Sequence, residues 1–105
     1  MMLSLQRGMI TMICINTTDN KVLIRGHTES AICSSISSIM YTSLNALLAY
    51  DKECFEFYDD ANEDYVEITL IKCDDFARLL FDNMINCFNN VSEQYPECVD
   101  ITKIV

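Results

Sequence analysis

The sequence predicts an α+β sandwich of order β-β-α-β-β-α, with two helices packed on one face of a mostly antiparallel sheet and a short C-terminal segment available as an edge strand. Three observations predict it. Strand-like runs come in two pairs, each joined by turn-forming polar residues. A long stretch with helical apolar spacing follows each pair. The length of 105 residues, 50% of them hydrophobic, suits a single core and leaves no room for a second.

Residues 1–8 read as an extension before the domain proper, residues 9–105. The run Met9 to Ile15 is apolar on both faces and rich in β-branched side chains, as expected of a strand inside a sheet. Asn16 to Asn20 is the turn, and Lys21 to Arg25 is the second strand of a hairpin, with Val22 and Ile24 on one face. Gly26 ends that strand, and Thr28 and Ser30 are both able to cap a helix. From there Ile32, Ile36, Ile39, Met40, Leu44, Leu47 and Leu48 form an apolar stripe about five turns long.

Glu53 to Tyr58 and Tyr65 to Ile71 alternate polar with apolar residues around the acidic turn Asp59 to Asp64, which predicts a second hairpin. Asp74 and Asp75 open the second helix with charges that suit its dipole. Its expected buried face is Phe76, Leu79, Leu80, Ile85, Phe88 and Val91, and Tyr95-Pro96 stops it. The tail from Val99 is apolar enough to dock or to extend the sheet.

Composition narrows the function classes. A formal net charge of −9, with seven Lys and Arg scattered along the chain, argues against direct nucleic-acid binding and favours a basic protein or peptide as partner. No run of apolar residues reaches the length of a membrane span, and the N-terminus has no signal-peptide pattern, so the expectation is a cytoplasmic, reducing setting. Six cysteines with no C-x-x-C spacing and one histidine do not complete a zinc set, so no metal or other cofactor is expected. Asp60-Ala61-Asn62-Glu63-Asp64 begins like a calcium loop, but Tyr65 stands where glycine is needed and Ile71 where the closing glutamate is needed. It reads as a solvated turn.

The chemistry concentrates at His27 and Cys33. His27 is the only histidine, it follows a glycine that lets the backbone turn tightly, and Cys33 sits six positions on in the first turn of the helix. A neighbouring imidazole can take a thiol proton, and free N–H groups at a helix start can favour a thiolate or an oxyanion. Ser34, Ser35 and Ser37 leave the thiol accessible, and Ser37 lies one turn below it on the same side.

At these residues the chain resembles the ribosomal-processing cysteine protease family, Prp. Gly26-His27 matches the family's G-H pair after the second strand, and Cys33-Ser34-Ser35-Ile36-Ser37-Ser38-Ile39 is similar to its C-A-A-V-S-A-L helix start. Val91-Ser92-Glu93-Gln94-Tyr95-Pro96 is similar to its A-E-Q-Y-P segment, and the resemblance covers residues 9–105. It implies Cys33 as nucleophile and His27 as general base, with Gly26, Ser34 and Ser37 in support. It further implies a homodimer that removes the N-terminal extension of a basic large-subunit ribosomal protein. The chain departs from the family between His and Cys, where Thr28 to Ile32 replaces a longer, Gly-containing loop with an Asp before the Cys. That departure keeps a second reading open: a dimeric interaction module of Prp shape that binds a basic protein or peptide without cleaving it. A redox-sensing thiol at Cys33 is a third.

Overall fold

A computed structural model describes residues 12–72 and 74–104. The expected extension at residues 1–8, and the start of the domain and of the first strand at Met9, lie outside them. The elements run β1 (Ile13–Thr17), β2 (Lys21–Gly26), α1 (Ser30–Tyr50), β3 (Phe55–Asp60), β4 (Tyr65–Leu70), α2 (Asp75–Gln94) and β5 (Val99–Lys103). They form a five-stranded sheet of order β3-β4-β2-β1-β5, antiparallel except where β5 runs parallel to β1. The predicted α+β order holds, including the C-terminal edge strand.

β1 ends two residues later than predicted because it has a neighbour on each side. Asn16 and Thr17 pair with Leu23 and Val22 on β2 and with Thr102 and Lys103 on β5, and Thr17 is buried. The turn shrinks to Thr18–Asn20, where the Thr18 amide donates to the Lys21 carbonyl at 2.9 Å. Only one face of β1 is covered: Ile13 and Ile15 are buried, whereas Cys14 is exposed. β3 is likewise shifted, taking in Asp59 and Asp60, because Asp60 accepts the Asn62 and Glu63 amides at 3.1 and 3.3 Å and so carries the turn itself.

The core lies between that face and the helices. α1 contributes Ile32, Ile36, Met40, Leu44 and Leu47, and the sheet contributes Ile13, Ile15, Val22, Ile24, Ile68, Leu70 and Val99. Each of these removes its side chain from water, which for a residue of this size is worth about 1.5–3 kcal/mol. Leu48, counted in the stripe, is exposed.

Two expectations need correction here. The buried face of α2 is Ala77, Phe81, Met84 and Phe88; Phe76 and Leu79 are 48% and 62% exposed. Asp74 caps the helix, its carboxylate accepting the Ala77 amide at 2.9 Å, and the packing of α2 against α1 sets the phase, with Phe76 meeting the ring of Tyr50 at 4.7 Å. Second, α1 is 21 residues long with no charged side chain, and an 18-residue stretch of it has a mean hydropathy of 1.3, enough by length and composition to cross a membrane. Its serines, threonine and asparagine interrupt the apolar run in the sequence without removing that potential. In the fold it packs against α2 and buries Ile32, Ile36, Met40, Leu44 and Leu47 in the core.

Candidate active site

The site forms at the end of the sheet where β2 stops. Gly26 has φ +95°, and a Cβ there would meet the Met12 carbonyl oxygen at 2.4 Å, so only glycine fits. Its amide donates to the Asp64 carbonyl at 3.0 Å, which ties the β3–β4 turn to the end of β2. His27 follows directly. Its Nδ1 lies 3.4 Å from Oδ2 of Asp64, whose own φ of 49° is a left-handed conformation that aspartate tolerates.

The thiol is held by the segment between His27 and the helix. The Thr28 amide donates to Cys33 Sγ at 3.2 Å, and the thiol donates to the Thr28 carbonyl at 3.4 Å. A thiol uses both contacts, whereas a thiolate keeps only the N–H donor. The imidazole and the thiol make no direct hydrogen bond; His27 is engaged by Asp64 and Cys33 by Thr28, the residue that follows His27 in the chain.

Neither Thr28 nor Ser30 caps α1. Glu29 occupies the N-cap position without a side-chain hydrogen bond, and its carbonyl accepts the Ile32 and Cys33 amides at 3.0 and 2.9 Å. The amides of Ser30 and Ala31 therefore have no acceptor within the helix. The amide of Cys33 itself is spent. Thr28 Oγ1 is buried and has no hydrogen-bond partner among the described residues; the sequence pattern marked Thr28 only as a capping candidate.

A cleft of about 270 Å³ joins these groups. Cys33, Ser37 and Tyr41 form one wall along α1, Asp59 and Asp64 form the opposite rim, and Ile24, Ile36 and Val66 contribute an apolar floor. Gly26 also lines it, whereas His27 is not part of the lining and touches its rim residue Asp64. Three of the five residues singled out from the sequence, Gly26, Cys33 and Ser37, thus line one cleft, and His27 lies beside it against Asp64. Ser34 is exposed and lies outside the cleft lining.

Asp64 is the residue that sequence reasoning missed. It was legible only as one carboxylate in a solvated acidic turn. What brings it to His27 is the pairing of β4 with β2, in which Tyr65 stands opposite Arg25 and stacks under its guanidinium at 4.8 Å.

The fold has relatives of known structure. The S. aureus ribosomal processing protease Prp, solved with a covalently linked product peptide, matches with a TM-score of 0.82 at 22% identity, over 89% of this chain and 100% of that one. The same protease with a substrate peptide gives 0.81 at 20% identity, over 89% and 100%. SMU.848 from Streptococcus mutans gives 0.74 at 22% identity, over 92% and 99%. No family model and no curated protein matches the sequence. At these identities the likeness establishes the fold: this chain is built as Prp is built.

Proposed function

We propose that the chain is a Prp-like cysteine endopeptidase that removes the N-terminal extension of a basic large-subunit ribosomal protein, acting in the cytoplasm as a homodimer. The single observation that carries the reading is the placement of Cys33 in a cleft whose rim carboxylate, Asp64, also engages the only imidazole of the chain. A Prp fold that is found with substrate and product peptides in S. aureus supports a peptide as the occupant.

In this mechanism Asp64 holds Nδ1–H of His27 and leaves Nε2 as the base. The mechanism requires the exposed His27 ring to leave its resting position and bring Nε2 to the thiol; contacts of this kind are often loose before substrate is bound. His27 takes the Cys33 proton, Sγ attacks the scissile carbonyl, and the uncapped amides of Ser30 and Ala31 are the donors left to receive the oxyanion. The imidazolium protonates the leaving amine, and a water molecule then releases the acyl group from sulfur.

The direct contacts of His27 and Cys33 with other partners favour one competing reading, a peptide-binding module of the same shape without turnover. Alkylation and cleavage separate the two. In the protease, iodoacetamide modifies Cys33 at pH 6–7 faster than the other cysteines, His27→Ala abolishes the advantage, and Asp64→Asn lowers kcat by about tenfold or more with KM little changed. Cys33→Ala leaves no cleavage of a leader-bearing ribosomal protein. Equal alkylation of all cysteines, with no cleavage by the unmodified chain, refutes the protease.

A further inference from the structure

The sheet has two outer edges, and the edge on β5 is closed at its first residue. On β5 the outward amide and carbonyl of Val99 are both taken, the amide by the Tyr95 carbonyl at 3.1 Å and the carbonyl by the Ser92 hydroxyl at 2.8 Å. β3 is open. The Ile71 amide donates to the Cys54 carbonyl at 2.7 Å, and continuing that alternation along the register makes Glu56–Thr69 and Tyr58–Glu67 the hydrogen-bonded pairs. The amides and carbonyls of Phe55, Phe57 and Asp59 therefore point away from the sheet.

Edge strands are usually guarded by lysine, proline or a bulge, and β3 has none of them. Its flanks are acidic instead. From Glu53 to Asp64 there are six carboxylates and no Lys or Arg, and Glu56, Asp59, Asp60 and Glu63 form no ion pair among the described residues. Two such edges set against each other would place like charges opposite, so a second copy is a poor occupant. A strand carrying positive charge is a good one.

The edge leads to the thiol. Asp59 lines the same cleft as Tyr41, Ser37 and Cys33, and the Tyr41 ring meets the Phe57 ring at 6.2 Å. From Tyr41 to Cys33 the helix advances about 12 Å at 1.5 Å per residue. An extended chain covers that span in about four residues.

We propose that the open edge of β3 docks an extended basic peptide segment, which pairs with the main chain at Phe57 and Asp59 and runs along α1 so that a bond three or four residues farther on reaches Cys33. The inference deepens the protease reading, on which it rests for the bond that is cut. Docking itself does not require cleavage.

The test uses the full chain carrying Cys33→Ala and, as probe, a fluorescein-labelled peptide of alternating Lys and Val. Its partners are the same peptide N-methylated at alternate residues and a Glu-Val counterpart. Anisotropy gives binding of the Lys-Val peptide, with at least tenfold weaker binding after N-methylation, for the Glu-Val peptide, and for Asp59→Lys. Hydrogen exchange gives at least tenfold slower exchange of the Phe57 and Asp59 amides in the complex. No binding, equal binding of the N-methylated peptide, protection confined to α1, or protection of the same amides by raising protein concentration without peptide would each overturn the proposal. The N-methylated arm keeps the test valid where Asp59→Lys perturbs folding. Cleavage by the unmodified chain with β3 unprotected removes the docking strand and leaves the protease; protection of β3 without cleavage does the reverse.

Discussion

Gly26 shows how one residue without a side chain can position two that have reactive ones. Its left-handed backbone and its closeness to the Met12 carbonyl turn the chain from β2 into the His27–Thr28 segment, while its amide holds the turn that presents Asp64. Gly26→Ala adds a Cβ where none fits, and a residue forced into that backbone region costs about 1–3 kcal/mol. We expect the urea midpoint to fall accordingly, and Cys33 alkylation to lose its His27 dependence in the same variant even under conditions where it remains folded.

At the scale of elements, the two helices are joined by a contact that also tunes an acid. The Tyr50 hydroxyl at the end of α1 donates to Asp74 at 2.6 Å, and the Ala77 amide donates to the same carboxylate, so its pKa is held below the ordinary value near 3.8. A carboxyl depressed in the folded state stabilises the fold above its unfolded pKa, and that contribution is lost as pH falls through the folded value. The urea midpoint of the unmodified chain should therefore drop on acidification below about pH 4, and Asp74→Asn should have a lower midpoint at neutral pH and a shallower drop. α2 offers a second test. Phe81→Ala empties a fully buried position and should cost about 3–5 kcal/mol, whereas Leu79→Ala, at an exposed one, should stay within about 0.5 kcal/mol. Urea denaturation of the pair distinguishes the observed phase of the helix from the one its apolar residues suggest.

For the whole molecule the dominant property is charge. A net −9 on a chain of 105 residues attracts a cationic polypeptide from a distance and repels nucleic acid. The carboxylates that border the cleft and β3 concentrate this field where the thiol is. Raising salt from 0.01 to 0.5 M should lower kcat/KM for a basic leader-bearing substrate by about tenfold or more, chiefly through KM, because the screening length shrinks from about 30 Å to only a few ångströms. A kcat/KM insensitive to salt would show that short-range contacts alone select the substrate.

Element order was legible because each segment carries a local signal. The isoleucines and leucines of α1 recur at helical spacing, the strands alternate, and the polar turns separate them. The nearness of Gly26, Cys33 and Ser37 in one cleft was legible for the same reason, since they lie on one continuous stretch whose geometry is mostly local. Tertiary structure alone decided the rest. That Thr17 belongs to a strand depends on β5 arriving beside it, that Phe76 faces Tyr50 depends on the meeting of two helices, and that Asp64 stands at His27 depends on β4 pairing with β2. Each of these is a contact between residues far apart in the chain, and a local pattern of side chains does not encode which distant backbone will supply the other half of the hydrogen bond.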